Sequence, residues 1–292
     1  MNPEIFAKFL ARQGYHIVKT ESCYWYDAHP WFYFYFPYHH LINPNAEELN
    51  KILWGERCIG IRYFTPMDFI GKNSYMIVCS DKNYDFPSVD ADYARRQTRR
   101  GLDNFEINQF SFGELAKLGN DLNVETLTRQ GRNRGRWNGQ RWKLFCEATD
   151  GLDGFEAWGA FKNGNLASFM VAFQMEDHFM ILHQSSATEY LRLYPNNALV
   201  FTVTKLKLGL SVVNTVSYGP QSLDAPQSLD TFKFRMGYHK SPMKQRIIFN
   251  PLIKPFIGSI FHNLVQFAVK ANPKSDASRK MEGIIRFYRE AT

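Results

Sequence analysis

Cysteine is scarce. The 292 residues hold four, Cys23, Cys58, Cys79 and Cys146, and no two of them form a Cys-x-x-Cys pair. That spacing argues against a zinc knuckle and against a redox dithiol, and leaves buried thiols in a reducing compartment as the expectation. Long apolar runs are missing too: no stretch approaches the roughly 20 residues that span a bilayer. The start, Met1-Asn-Pro-Glu-Ile-Phe-Ala-Lys-Phe-Leu10, carries an acidic residue where a secretory leader would be positive. A cytoplasmic location is expected. Grouped metal ligands are also lacking, because His39 and His40 are adjacent and point to opposite faces of a strand, while Asp27-Ala-His29 has no further ligand nearby. No metal site is expected.

What is present begins with a hydrophobic content of 45%, enough for a substantial core in one large domain or two ordinary ones. The formal net charge of +7 points to an anionic partner: nucleotide phosphates, coenzyme A, tRNA or an acidic membrane surface. A basic surface with no dedicated partner is the other reading, and DNA is not among the expected partners.

The clearest pattern lies between Glu156 and Arg246. Glu156–Phe161 and Leu166–Gln174 are apolar runs joined by Lys162-Asn-Gly-Asn165, whose Asn-Gly suits a tight hairpin, and Phe179–Gln184 adds a third strand. Beyond Tyr194-Pro-Asn-Asn197 the period changes: Ala198, Leu199, Phe201, Val203, Leu206 and Leu208 predict a helix, with Asn196 or Asn197 as its cap. Val212–Gly219 reads as a strand, Leu229–Gly237 as a short basic helix and Met243–Phe249 as a closing strand.

This order, with Tyr194-Pro-Asn-Asn-Ala-Leu199, Ser217-Tyr-Gly219 and Asp230-Thr-Phe-Lys-Phe-Arg-Met-Gly-Tyr238, resembles the GNAT superfamily of acyltransferases, in particular its Fem-type aminoacyltransferase branch. The resemblance implies an α/β (α+β) fold: a mixed, mostly antiparallel sheet flanked by helices, with two GNAT-like halves in tandem. The expected divisions are 1–147 for an N-terminal half, 148–250 for the acyltransferase domain and 251–292 for a helical tail.

In the first half, the aromatic run Trp31–Pro37, Arg57–Phe64 and Ser74–Cys79 read as strands, and residues 46–53 as a helix. Ala91–Gly101 reads as a helix with four arginines in six positions, Arg95, Arg96, Arg99 and Arg100. These arginines line a phosphate-binding groove or form a solvated face. Phe105–Ile107 follows as a strand, and Ser111-Phe-Gly-Glu114 has the form of a capping box. Residues 129–143, rich in arginine, glycine and tryptophan, read as a mobile loop over an active site, as an inert linker, or as a single-stranded nucleic-acid contact. The tail, Pro255–Lys270, has a broad apolar face suited to packing on the first half; peripheral membrane contact through residues 255–270 is the other reading.

The resemblance implies a gap between the splayed strands Phe179–Gln184 and Val212–Ser217, with a donor received by the helix starting near Asn196. Helix starts offer free N–H groups and partial positive charge. Donor contacts are expected from Arg192, Asn196, Asn197 and Ala198. The family's coenzyme A signature wants small residues where this chain has Pro195 and Asn197, which shifts the expectation from acyl-CoA towards aminoacyl-tRNA as co-substrate. Lys233 is expected to stabilise the oxyanion, Phe232 to shape the acyl pocket, and His183 and Tyr218 to move protons. Gln184 and Ser185 would face the acceptor, with Asp224 and Asp230 positioning its amine or capping a helix. The reaction implied is N-acyl transfer to an amine of a small molecule, glycan, peptide or cell-envelope precursor. The alternative is a non-catalytic GNAT-like binding protein that uses its basic face for RNA or anionic lipid.

Overall fold

The computed structural model describes residues 2–29, 31–131, 139–223, 227–257, 265–267, 272 and 275–289. Asp224, the middle of the 129–143 segment and most of 258–271 lie outside them. The elements are α1 (Pro3–Arg12), β1 (Ile17–Lys19), β2 (Tyr24–His29), β3 (Phe32–Phe36), α2 (Ala46–Asn50) with a π-helical continuation (Lys51–Gly55), β4 (Gly60–Thr65) and β5 (Lys72–Cys79). Then come α3 (Asp92–Asn104), β6 (Glu106–Phe110), α4 (Phe112–Arg129), α5 (Gly139–Glu147), β7 (Phe155–Lys162), β8 (Asn165–Met175) and β9 (His178–Ser186). The chain continues with α6 (Pro195–Leu208), β10 (Thr215–Pro220), α7 (Gln227–Arg235), β11 (His239–Phe249) and α8 (Asp276–Arg289).

Two compact units result, each assembled from separated stretches. One gathers Met1–Phe9, Ile77–Gly219 and Pro226–Lys240, the other Leu10–Met76, Pro220–Ala225 and Ser241–Thr292. Each is built on a mixed sheet flanked by helices.

In unit 1 the strand order is β10-β9-β8-β7-β6, and the end of β5 lies on the far side of β10. Strands β6 to β9 are antiparallel, whereas β9 and β10 are parallel. The Asn-Gly hairpin forms as expected: Asn163 and Gly164 both adopt positive φ, 50° and 78°, the conformation a two-residue turn of this kind demands. β8 is buried at nearly every position, so helices cover both of its faces. On one face Phe6 of α1 stacks on Phe173, and Phe155 of β7 packs on the same ring with centroids 4.3 Å apart. α4 begins at the expected capping box, in which the Ser111 hydroxyl accepts from the Glu114 N–H and the Glu114 carboxylate accepts from the Ser111 N–H.

The 129–143 segment needs correction at both ends. Arg129 closes α4, and from Gly139 the chain is helical as α5. Trp142 is 1% exposed, stacks on Phe145 and donates its indole N–H to the Leu115 carbonyl. It is a core residue and offers no platform for a base. The alternation of arginine with tryptophan that suggests a nucleic-acid contact is, over α5, the amphipathic pattern of a packed helix.

In unit 2 the order is β1-β2-β3-β4-β11. β1 to β3 are antiparallel, β3 and β4 are parallel with Phe32 opposite Gly60, and β4 is antiparallel to β11. The sequence β1-β2-β3, α2, β4 thus repeats the β7-β8-β9, α6, β10 plan, including its parallel pair. Strand membership crosses the halves read from sequence. β11, last in the chain, pairs with β4 from the first half, and β5 of the first half neighbours β10.

The aromatic run of β3 fills this unit's core, where Trp25, Tyr35, Tyr63 and Phe64 are wholly buried. A further cluster joins Phe32 and Phe249 to Ile257, Ile284 and Ile285, so the described part of the C-terminal segment packs on a first-half strand. Among the described residues no helix is long and apolar enough to cross a membrane.

Replacing Trp142 by alanine removes a large buried ring and leaves the Leu115 carbonyl without its indole donor. A loss of about 3–5 kcal/mol is expected, read as a lower urea midpoint at unchanged slope.

Candidate functional site

The ladder between β9 and β10 is short. It pairs Thr215 with His178, Val216 with Phe179 and Ser217 with Met180, after which β9 runs on to Ser186 and β10 to Pro220 with no further pairing in that register. A bulge explains the parting. On the other side of β9, Ile181 pairs with Ala172 and His183 with Val171, leaving Leu182 as an extra residue just past the last position paired with β10. An inserted residue bends its strand and raises its twist. Beyond the bulge β9 and β10 therefore diverge, and Gly219, at φ +73° with nothing within 4 Å of a notional Cβ, borders open space.

Gln184 and Tyr218 face one another across this opening, the Tyr218 hydroxyl donating to Gln184 Oε1 at 3.2 Å. The Lys233 ammonium of α7 lies 5.1 Å from the centroid of the Tyr218 ring and pairs with Asp230 at 2.9 Å. The ring of Tyr238 packs against that of Tyr218, 5.0 Å away, and shares a 2.6 Å hydrogen bond with Thr204 of α6. Burial pushes the Tyr218 phenol far above its ordinary range, so it keeps its proton at any physiological pH. Burial does the same to Tyr238, reinforced by its tyrosine neighbours.

The end of α7 is held in place by a glycine. At Gly237, φ is +86° and a Cβ would sit 2.4 Å from the Ser88 carbonyl oxygen, so no side chain fits. The Tyr84 hydroxyl donates to the neighbouring Met236 carbonyl at 2.6 Å.

Asn196 ties the start of α6 to the ends of β8 and β9. Its Oδ1 accepts from Ser168 Oγ at 2.6 Å and from Gln184 Nε2 at 3.1 Å, while its Nδ2 donates to Ser186 Oγ at 3.3 Å. Arg129 donates to the same Ser186 hydroxyl and to Thr188 Oγ1. The first turn of α6 is partly taken up within the chain. Pro195 has no N–H, and the N–H groups of Asn197 and Ala198 both donate to the Tyr194 carbonyl. A Cβ on Gly101 of α3 would lie 2.6 Å from that carbonyl oxygen and 3.0 Å from the Ala198 Cβ, so α3 covers the turn. Asn197 and Ala198 are buried, and Arg192 stands exposed on the preceding 3-10 turn.

The expected site residues therefore divide. Tyr218, Gln184, Lys233 and Asp230 come together at the opening, and Asn196 reaches it through Gln184. Phe232 is half-buried on α7 beside them. His183 and Ser185 belong to the opposite face of β9. The His183 ring packs between Trp142, Phe145 and Phe169, its Nε2 is bonded to Asn123 Oδ1 at 3.0 Å, and Ser185 Oγ lies 3.4 Å from the same nitrogen. Strand alternation separates His183 from Gln184, so His183 does not share a face with Tyr218. Asp224 is outside the described residues.

Of the arginines on α3, Arg95 bonds the Val89 carbonyl and pairs with Asp92, Arg99 lies over the Phe86 ring, and Arg100 lies over that of Tyr194. Residues with no expected role, Ser168 and Asn123, join the polar network. Ser168 is a lone polar residue inside an apolar run, which marks it, whereas Asn123 lies among other polar residues of α4 and carries no such signal.

A comparison with protein-family models gives no match, and neither does a search of curated protein sequences. Solved structures do match. FemX superposes with a TM-score of 0.58 at 11% identity, covering 86% of this chain and 92% of that one. L-PGS from Bacillus licheniformis gives 0.54 at 10% identity, with coverage of 91% and 97%. A C-terminal domain from Agrobacterium fabrum that bears the name of a lysylphosphatidylglycerol synthetase gives 0.54 at 8%, with 83% and 87% covered. Identities this low speak for fold alone. The chain shares its fold with FemX.

Changing Asn196 to alanine strands the Gln184 amide donor, leaves the Ser168 hydroxyl only the Ser185 carbonyl and cuts the bond to Ser186. A loss of about 1–3 kcal/mol is expected, measured by chemical denaturation.

Proposed function

We propose that unit 1 transfers an aminoacyl or related acyl group to an amine, at the opening between β9 and β10. The observation that carries this reading is the parted parallel pair with Tyr218, Gln184 and Lys233 gathered where the ladder ends. The Fem-like fold supports it.

The chemistry divides among these groups. A neutral acceptor amine attacks the acyl carbon of the donor ester, and negative charge develops on the carbonyl oxygen. The adduct collapses with cleavage of the ester C–O bond, the proton shed by the amine ending on the departing donor hydroxyl. The Lys233 ammonium, held by Asp230, supplies fixed positive charge to the carbonyl oxygen. Tyr218 keeps its proton, which suits it to donate a hydrogen bond and unsuits it as a base. Gln184, tethered by Asn196, orients the Tyr218 hydroxyl. Phe232 borders the acyl group, and Asp230 is placed to draw the incoming amine. His183 holds β9 from its other face.

For the donor, the crowded first turn of α6 weighs against acyl-CoA, because Pro195 offers no N–H, the Asn197 N–H is taken by the Tyr194 carbonyl and α3 lies against the turn. An aminoacyl-tRNA-type donor fits better, its ester being reached through the opening. The same crowding favours the second reading, a binding protein that keeps the fold without the reaction and holds RNA or anionic lipid.

Incubation with charged tRNA, acyl-CoAs and a panel of amines separates these readings. Transfer from charged tRNA is expected, together with thermal stabilisation by charged tRNA and none by acyl-CoA. Lys233→Ala should lower the rate by about 10²-fold or more, and Tyr218→Phe by roughly 10- to 100-fold, with the melting temperature of each held near that of the parent. Turnover of acyl-CoA at a comparable rate would reverse the donor assignment. Full activity in both variants would remove the site, and salt-sensitive RNA binding without any transfer would establish the binding protein.

A further inference from the structure

One end of the unit 2 sheet presents large apolar side chains to solvent in a connected group. The Ile59 N–H donates to the Trp31 carbonyl at 2.6 Å and its carbonyl accepts from the Asn250 N–H at 2.8 Å, so Trp31, Ile59 and Asn250 lie side by side at the rim of β3, β4 and β11. The Asn250 side chain donates to the Leu53 carbonyl and accepts from the Leu252 N–H, which brings in Trp54 and Leu252. Hydrogen bonds from Arg57 to the Trp54 carbonyl, from Lys254 to Asn250 and from Phe256 to Ile253 complete the set. Trp31 and Leu252 are each 68% exposed, Phe256 70% and Trp54 45%.

Exposed apolar residues scattered singly need no explanation, but four at one rim do. Two backbone observations sharpen the point. Trp31 and Arg57 both hold positive φ, 59° and 49°, where glycine would sit without strain and a bulky residue does not. Strain kept at an exposed position, with a large side chain that is mostly open to solvent, points to a contact outside the chain. The polar residues have a consistent sign. Arg57 and Lys254 are exposed at the rim. The nearby Glu56 turns its carboxylate to His16, at 2.9 Å, and to the Tyr33 hydroxyl.

We propose that this rim docks on the surface of an anionic lipid bilayer, with Trp31, Trp54, Leu252 and Phe256 entering the boundary between headgroups and acyl chains and Arg57 and Lys254 meeting the lipid phosphates. Tryptophan suits that depth because its ring is apolar and its N–H finds polar partners at the headgroup level. Apolar insertion and basic contact reinforce each other, as peripheral binding requires two weak signals acting together. The docking depends on unit 2 alone and is independent of the chemistry proposed for unit 1.

Vesicle co-sedimentation of the full chain tests it, with phosphatidylcholine alone and with phosphatidylcholine mixed with phosphatidylglycerol. Binding to the mixed vesicles, with a blue shift in tryptophan fluorescence, is expected, and little binding to phosphatidylcholine alone. Trp31→Gly combined with Leu252→Ser and Phe256→Ser should weaken partitioning about tenfold or more. The glycine relieves the φ strain, so this variant should fold. Lys254→Glu provides an independent surface change that should also weaken binding to the anionic vesicles. Absence of binding by the parent chain would overturn the proposal, as would unchanged binding in both variants. So would a concentration-dependent dimer, without vesicle binding, that the apolar substitutions dissolve, because a second copy would then be the occupant.

Discussion

Everything proposed for unit 1 depends on where a hydrogen-bonded ladder stops. β9 and β10 begin as an ordinary parallel pair and separate after Ser217 and Met180, because Leu182 inserts one residue into β9 and bends it away. Parallel strands that continued in the same register would set Tyr218 beside Ile181 and leave no gap between them. Separated, they leave a space whose walls are side chains and unpaired backbone. Asn196 keeps that space in register by bonding Ser168, Gln184 and Ser186 at once, so the position of α6 is coupled to both strands beside it.

The same helix start shows how one fold can host different donors. A backbone turn with free N–H groups receives phosphate. Here Pro195, the Tyr194 carbonyl and the close approach of Gly101 take up that turn internally. The partition between retained and closed features, more than the fold itself, is what the proposed preference for an aminoacyl donor rests on.

Unit 2 repeats the strand order of unit 1 and ends its own parallel pair, β3 and β4, beside β11. Its first-half aromatic run and the C-terminal helix share one core through Phe32, Phe249 and Ile285. The exposed rim stands on that core: buried Asn250 bonds fix the loops from which Trp54 and Leu252 project, so the apolar group is held by a rigid base.

Local pattern was enough for most elements. Period-two runs marked β7, β8, β9 and β11, the 3.6 period marked α6, Asn163-Gly164 marked the hairpin and Ser111 with Glu114 marked the start of α4, because each of these rests on residues adjacent in sequence. α1, β1, β2 and α8 went unread, and α5 was hidden by its arginines and glycines, since burial of Trp142 depends on Leu115 and Phe169 elsewhere in the chain. Side-chain alternation along a strand puts His183 and Gln184 on opposite faces of β9, yet the expectation gathers His183, Gln184 and Ser185 at one site. Which face meets Tyr218, which strand β11 pairs with, and whether the turn at Pro195 stays open were decided only by tertiary structure. Those outcomes depend on contacts between distant residues, and no local periodicity carries that information.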